Sequence, residues 1–355
     1  MEATNLKAPF AQLLTDFLDP ITPDAVALGV LQAASDENVR AQDLASLLHS
    51  DLGYQQYLFA QTFLSERMSE WLLENKDAAN RDWILLERIL GLLGKTPVRN
   101  LVACARVDRL LGPLSPLGPE DKIAVTPSQV IPYALEAEKS CQDNTWIFPE
   151  AAFAAGLYYD WLAALIKKRD GTADEKSALA ACFKEGLVIA KIAYELGERL
   201  TEIELGGHLF AGGLLLPIGK VLMTCFYPKG ASDKSWADLP KYCEKAGEHA
   251  GDLMKLLEPV WFGATHAELG SLLINFGALL RPIEKAICFY PYPERLKRID
   301  RDLYQLSSVL SLSATLAQAG KKKPRLEPYQ SRWLIANKIG DDTLQSALAA
   351  ALKAK

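Results

Sequence analysis

The stretch THAELGSLLINFG, residues 265–277, carries a full set of helix signals and decides the fold class. Thr265 and Glu268 have the T-x-x-E spacing in which each side chain bonds the other's backbone N–H at a helix start. Gly277 is typical of a residue that closes a helix. The apolar residues between them recur three and four positions apart, which places on one face Leu269, Leu272, Leu273 and Phe276. An amphipathic helix is therefore predicted over 265–276.

Helical spacing recurs along nearly the whole chain. It is present at Leu44, Leu47 and Leu48 and again over 83–93, whereas sustained two-residue alternation is hard to find. Thr96 followed by Pro97 predicts a helix start, because threonine caps free N–H groups and proline at the first position loses no hydrogen bond. We therefore predict an all-α fold, with later helices near 149–168, 175–200, 205–216, 218–227, 236–257, 265–276, 282–289 and 294–318.

The composition indicates the cellular compartment of the protein and the classes of partner that it can bind. The chain is 49% hydrophobic and 23% charged, as in a globular protein, and its net charge of −5 provides no basic field for nucleic acid or an anionic membrane. Its six cysteines stand singly, which predicts reduced core residues. We see no leader segment, and no apolar run that approaches the length of a membrane span. A cytoplasmic protein that binds neither nucleic acid nor membrane is expected.

Proline content predicts where the chain is divided. Residues 112–132 contain five prolines and little periodicity, so we assign 112–147 as a connector between residues 8–111 and 148–320. Lys321, Lys322 and Lys323 precede Pro324 and interrupt the last long helix. Residues 321–355 are therefore predicted to form a basic linker and a C-terminal tail helix.

Several segments, in order, resemble the HDOD family. HLFAGGLLLPIGKVLM, from His208, is similar to the family's A-F-x-x-G-L-L-H-D-I-G-K, and EPVWFGATHAELGSLL, from Glu258, is similar to E-x-x-x-F-G-x-x-H-A-x-x-G-x-x-L. DLASLLHSDLGYQQYLFAQ, ILGLLGKTPVRNLV and residues 280–287 resemble further family segments. The resemblance implies one two-lobed helical domain over 8–320, with an N-terminal lobe, the connector and an HD-like lobe over 148–320.

The resemblance also implies that a metal site has been lost. HD-type phosphohydrolases bind metal through a His, an adjacent His-Asp pair and a later Asp. Here the pair falls on Leu216 and Pro217, which have no donor atom, and the first His and last Asp fall near Lys184 and Ala314. We therefore expect no catalytic residue, no bound metal and no cofactor. Pro217 also predicts a helix break at this point.

The segment from Glu258 supplies the candidate pocket or structural motif. Its residues are Glu258, Phe262, Gly263, His266 and Gly270. His266 either fixes the loop 261–265 through a hydrogen bond, for instance to Glu258, or belongs to a recognition pocket. Glu258 is either a buried acceptor or the end of a solvated face, and we favour the buried acceptor because Trp261 and Phe262 should point inward.

The other polar residues are not expected to take part in a functional site. His208 and His249 are expected at the surface or at helix ends rather than as metal ligands. Asp160, in the sequence GLYYD, imitates part of a metal motif, but Tyr159 stands where a histidine would be needed, so we interpret it as a coincidence.

Three functions remain. The first is a non-catalytic bacterial signal-transduction scaffold that contacts other signalling proteins. The second is a pseudoenzyme that binds a nucleotide or second messenger, and the third is a phosphohydrolase with unorthodox ligands, which the lost metal residues disfavour. A cationic pocket near Lys184, Lys220 and Arg199 would indicate nucleotide binding, whereas an exposed apolar patch would indicate a protein partner.

Overall fold

The computed structural model describes residues 23–51 except 35 and 37, 53–58 except 56, 82–111, 127–141, 149–200 except 199, 206–226, 235–247 except 246, 250–320 and 324–353. Of these residues 81% are helical, and no β-strand occurs among them. The predicted all-α fold is confirmed.

The first seven helices of the described chain run from residue 25 to residue 168. They are α1 (Ala25–Ala33), α2 (Ala41–Leu48), α3 (Asp82–Leu93), α4 (Lys95–Leu111), α5 (Pro127–Val130), α6 (Pro132–Lys139) and α7 (Pro149–Lys168).

Ten further helices complete the described chain. They are α8 (Ala173–Gly197), α9 (Gly206–Leu215), α10 (Ile218–Val221), α11 (Asp238–Glu244), α12 (Ala250–Phe262), α13 (His266–Gly277), α14 (Arg281–Phe289), α15 (Arg301–Ala319), α16 (Pro328–Ala336) and α17 (Asp341–Lys353). A π-helical turn (Leu222–Phe226) follows α10, and a 3₁₀ turn (Pro293–Leu296) precedes α15.

Local signals predicted many of these boundaries. The capping box of Thr265 and Glu268 is formed, and α13 begins one residue later. Gly277, however, is the last helical residue, and Ala278 takes the left-handed conformation with φ of 58°. Gly277 is needed for packing instead, because a Cβ there would lie 2.3 Å from the ring of Tyr158.

The single helix predicted over 236–257 is wrong. Two helices, α11 and α12, occupy this region, and Gly247 between them has a φ of +57°. A left-handed residue cannot continue an α-helix. The helix predicted over 294–318 likewise starts later, at Arg301, because Asp300 caps it by accepting a hydrogen bond from the backbone N–H of Leu303.

The second half of the predicted connector is not a simple linker. Residues 127–139 form α5 and α6, and α6 packs against α7 through the buried residues Ala134 and Ala137. The two helices approach closely at Gly156, where a Cβ would lie 2.5 Å from Ala134 Cα. Residues 112–126 and 142–148 lie outside the described residues.

Asp160 explains how α6 is held on α7. Its carboxylate is 1% exposed and accepts hydrogen bonds from the backbone N–H groups of Tyr133 and Ala134 at 3.0 and 2.9 Å. These are the first free N–H groups of α6, because Pro132 has none. Burial raises the pKa of Asp160 well above its usual value, and the two backbone bonds oppose that shift. Asp160 is a helix cap supplied from another helix.

Helix α8 lies at the centre of the later helices, in contact with α9, α15 and α17. Its closest neighbour is α9: a Cβ on Gly186 would lie 2.3 Å from Leu214 O, and one on Gly213 would lie 2.5 Å from Ala190 Cα. One cluster of buried apolar residues extends from Ala27 to Ala351. The six cysteines are free, and four of them are buried.

Residues 324–353 are not an independent tail. Helix α17 packs on α8 and α15 through Leu344, Ala347 and Leu348, which belong to the common core. In α16, Trp333 is 2% exposed and its indole N–H donates to Gln305 Oε1 of α15 at 2.6 Å. The three lysines at 321–323 lie outside the described residues.

One described segment corrects the expectation about apolar runs. His208–Phe226 is long and apolar enough to cross a bilayer, with a mean hydropathy of 1.8 over its best window, but 89% of that window is buried inside the protein. The segment is also interrupted at the turn of Leu216 and Pro217 between α9 and α10. It therefore forms part of the core of this structure.

An ion-pair network joins the N-terminal helices. The Arg109 guanidinium of α4 contacts Asp24 at 3.0 Å and Asp51 at 2.6 Å, and it lies 3.9 Å from the centre of the Tyr54 ring. Burial alone would raise the pKa of Asp51, but hydrogen bonds from Arg109 and from the backbone N–H groups of Tyr54 and Gly53 outweigh it and leave the pKa lowered. The network fixes α1 and the turn after α2 on α4.

Candidate functional site

Three helices bring Glu258, His266 and Tyr290 together. Glu258 lies in the last turns of α12, His266 is the first residue of α13, and Tyr290 follows the last residue of α14. His266 Nδ1 lies 2.7 Å from Glu258 Oε1, and Nε2 contacts the Tyr290 hydroxyl. The backbone N–H of His266 also donates to Glu258 Oε2 at 3.2 Å. The predicted hydrogen bond between His266 and Glu258 is present.

The burial of this cluster indicates which atoms donate and which accept its hydrogen bonds. The side chains of Glu258 and His266 are 2% and 12% exposed. Burial, followed by the charge of Glu258, raises the pKa of the Tyr290 phenol, so this hydroxyl keeps its proton. With a neutral imidazole, Nδ1–H donates to Glu258 and Nε2 accepts from Tyr290, which satisfies both ring nitrogens. Glu258 is therefore the buried acceptor that the sequence favoured.

The order of carboxylate, imidazole and hydroxyl is also the order of a nucleophile relay. In such relays the carboxylate orients the imidazole and the imidazole withdraws the hydroxyl proton. The raised pKa of Tyr290 keeps its hydroxyl protonated, which is the form that can donate to His266 Nε2. The geometry gives three hydrogen-bonded contacts that join α12, α13 and α14.

Aromatic packing and a left-handed glycine complete the loop 261–265. Phe262 is 1% exposed, and its ring lies 5.7 Å from that of Trp236 in an edge-on arrangement. Gly263 is exposed and has a φ of +80°, a conformation that a side chain would strain. Trp261, predicted to point inward, is half-buried and packs on Tyr242 with ring centroids 5.4 Å apart.

The turn of Leu216 and Pro217 leads into α10, which packs directly on α13. Leu216 is 2% exposed and Pro217 is buried, and the predicted helix break at Pro217 is confirmed because α9 ends at Leu215 and α10 begins at Ile218. A Cβ on Gly219 would lie 1.8 Å from the carbonyl oxygen of His266, and one on Gly270 would lie 3.4 Å from Gly219 N. Two glycines thus let the backbones of α10 and α13 touch.

The four positions predicted to correspond to lost metal ligands lie on helices that pack together. Lys184 is on α8, Leu216 and Pro217 connect α9 to α10, and Ala314 is on α15. These helices contact one another, but Lys184 is exposed and Ala314 is half-buried. Within the described ranges, no group of three His, Cys, Asp or Glu side chains is placed to hold a metal ion.

The remaining predicted polar residues are scattered. Lys220 Nζ forms an ion pair with Glu185 at 2.7 Å, so its charge is already balanced. His208 lies in the first turn of α9, where burial lowers the pKa of its ring, and its Nδ1 has no hydrogen-bond partner among the described residues. Arg199 and His249 lie outside those residues.

Sequence reasoning missed two surfaces. The first is the outer face of α12, where Leu256 and Val260 are 65% and 68% exposed one turn apart. The segment LMKLLEPVW has apolar residues on more than one helix face, which is a signal that one face lacks a partner. The second is a cleft of about 240 Å³ lined by residues of α1, α4, α7 and the turn before α14. No local pattern marks it, because its walls come from distant segments.

Comparison of the chain with protein-family models, with curated proteins and with solved structures finds no match.

Proposed function

We propose that this chain is a non-catalytic bacterial signal-transduction scaffold of the cytoplasm, a degenerate two-lobed relative of the HDOD family, which binds other signalling proteins through the outer face of α12. The observation that carries the proposal is the exposure of Leu256 and Val260. These two large apolar side chains are each about two-thirds exposed and lie four residues apart on one helix face. Together they form a stripe of apolar surface whose contact with water is unfavourable. Tyr242 of α11 is 50% exposed and packs on Trp261, the residue after Val260.

The buried cluster supports this role because it holds the displaying helix in place. Glu258 lies between Leu256 and Val260 in sequence, yet it points into the protein and binds His266. Lys255, next to the stripe, forms an ion pair with Glu327 before α16. Helix α12 is thus fixed from its inner side while its outer face stays open, and a preorganised surface loses little conformational entropy when a partner binds.

The alternative functions have less support. Nucleotide binding would require uncompensated positive charge, and Lys220 is paired with Glu185. An HD-type phosphohydrolase would require donor side chains at the turn between α9 and α10, where Leu216 and Pro217 stand. The partner that fits the α12 surface is a folded protein with a complementary apolar contact face.

The test is a double variant, Leu256→Glu with Val260→Glu, compared with Leu92→Glu. Leu92 on α3 is 52% exposed and serves as a matched apolar-to-acidic control away from the stripe. A partner crosslinked in cells is purified and titrated against each protein. We expect the double variant to unfold at the wild-type temperature but to bind at least about 30-fold more weakly, as hot-spot loss implies. A saturable partner that binds the double variant as tightly as the wild type would refute the α12 surface, and so would equal loss in Leu92→Glu.

A further inference from the structure

The cleft between α1, α4 and α7 has an apolar lining with few polar groups. Leu31, Phe153, Leu157 and Leu280 line it, each with 6% or less of its surface exposed, and Arg99 and Glu150 supply the charges. Its volume of about 240 Å³ exceeds the roughly 150 Å³ of an engineered cavity that admits benzene. A single small molecule with an apolar body fits this space.

Arg99 is a preorganised but incompletely used donor. Its side chain is 4% exposed and its guanidinium lies 3.6 Å from the centre of the Phe153 ring. Nη2 bonds both carboxylate oxygens of Glu138 at 2.9 Å, and Nε bonds Asn100 Oδ1 at 3.1 Å. Among the described residues, Nη1 has no hydrogen-bond partner. A buried guanidinium with a spare N–H is suited to one more acceptor, such as a carboxylate.

The charges near the cleft discriminate between ligands. Arg99 carries one positive charge, while Glu138 and Glu150 carry one negative charge each, so the surroundings are net negative. A polyphosphate nucleotide would bring several more negative charges and would be repelled. Glu150 is half-buried and lines the cleft. A ligand that carries one carboxylate and one ammonium group meets both signs without adding net charge.

We propose that this cleft binds a free α-amino acid with an apolar side chain. Its carboxylate accepts from Arg99 Nη1, its ammonium group faces Glu150, and its side chain lies against Leu31, Leu157 and Leu280. The ligand then contacts α1, α4 and α7 together, and it acts as a chemical input to the chain. This site is separate from the α12 surface, so either proposal can fail without the other.

Binding is measured by calorimetry with the full chain and L-leucine or L-phenylalanine. L-Glutamate and GTP are the negative probes. Two truncated probes separate the charges: 4-methylpentanoic acid lacks the ammonium group of leucine, and 3-methylbutylamine lacks its carboxylate. We expect saturable binding of leucine or phenylalanine, and at least about tenfold weaker binding of each truncated probe, since a charge-assisted hydrogen bond is lost.

Two pairs of variants place the ligand in the cleft. Ala154→Leu fills the cleft from α7 without removing a polar group, and Ala181→Leu, on the exposed face of α8, is its control. Glu150→Gln removes one charge, and Glu136→Gln on the exposed face of α6 is its control. We expect at least about tenfold weaker binding for Ala154→Leu and Glu150→Gln, and wild-type binding for both controls.

Each contrary result overturns the proposal. Absence of saturable binding by either apolar amino acid would do so, as would undiminished binding to Ala154→Leu. Equal binding of 4-methylpentanoic acid and leucine would show that the ammonium group does not interact with Glu150. Competition by GTP for the same site would show that the charge argument is wrong.

Discussion

Replacing His266 by alanine should destabilise the fold by about 2.5–4 kcal/mol. The change removes the imidazole bond to a carboxylate that is 2% exposed, and a hydrogen bond to a charged group contributes about 1.5–3 kcal/mol. It also leaves the hydroxyl of the half-buried Tyr290 without its His266 partner, which adds about 1 kcal/mol. Only the weaker backbone bond at 3.2 Å then remains between position 266 and Glu258.

Urea denaturation followed by circular dichroism measures this loss, with His49→Ala as a control at an exposed histidine. A double-mutant cycle of His266→Ala with Glu258→Ala should give a coupling energy above about 1 kcal/mol, because the two side chains contact each other directly. A His266→Ala midpoint equal to that of the wild type would refute the structural role. So would normal stability combined with lost partner binding, which would place His266 in a recognition site.

Three further predictions concern packing, acid stability and metal content. Gly219→Ala should lower the free energy of unfolding by more than about 3 kcal/mol, because its Cβ would lie 1.8 Å from the His266 carbonyl oxygen. Gly91→Ala has open space around it and should raise the free energy of unfolding by about 0.5–1 kcal/mol. Thermal melts that rank the two variants otherwise would contradict the backbone contact. Because the pKa of Asp51 is lowered, its ion pair with Arg109 stabilises the fold above the ordinary carboxyl pKa, and this contribution is lost as pH falls through the folded-state pKa. Arg109→Met should therefore lose less stability than the wild type between about pH 5 and pH 3. A variant with the same acid profile as the wild type would refute this. Elemental analysis of the desalted protein should find no stoichiometric Mn, Fe, Mg or Zn, and about one metal per chain would restore the enzyme hypothesis.

The sequence predicted the parts of the fold that local chemistry controls. The capping box at Thr265, the break at Pro217 and the limits of α7 all follow from residues close in sequence. It failed where distant residues decide the outcome. Helix α6 forms where periodicity is weak because Asp160 of α7 caps it, and the partner is 26 residues away from Ala134.

The candidate site was predictable only in part. Glu258 and His266 are eight residues apart, and one loop brings them together, so their pairing could be inferred. Tyr290 comes from the end of another helix, and no spacing rule connects it to His266. The exposure of Leu256 and Val260 depends on what lies beside α12 in space, which periodicity does not report.

The packing of α17 on α8 affects how the protein folds. These helices are far apart along the chain, yet each buries part of its apolar face on the other. Contacts of high sequence separation require closure of a long loop and therefore form slowly. Until α17 arrives, α8 presents an uncovered apolar flank to water. A chain in which α17 has not yet docked therefore exposes apolar surface of α8 that can contact other unfolded chains.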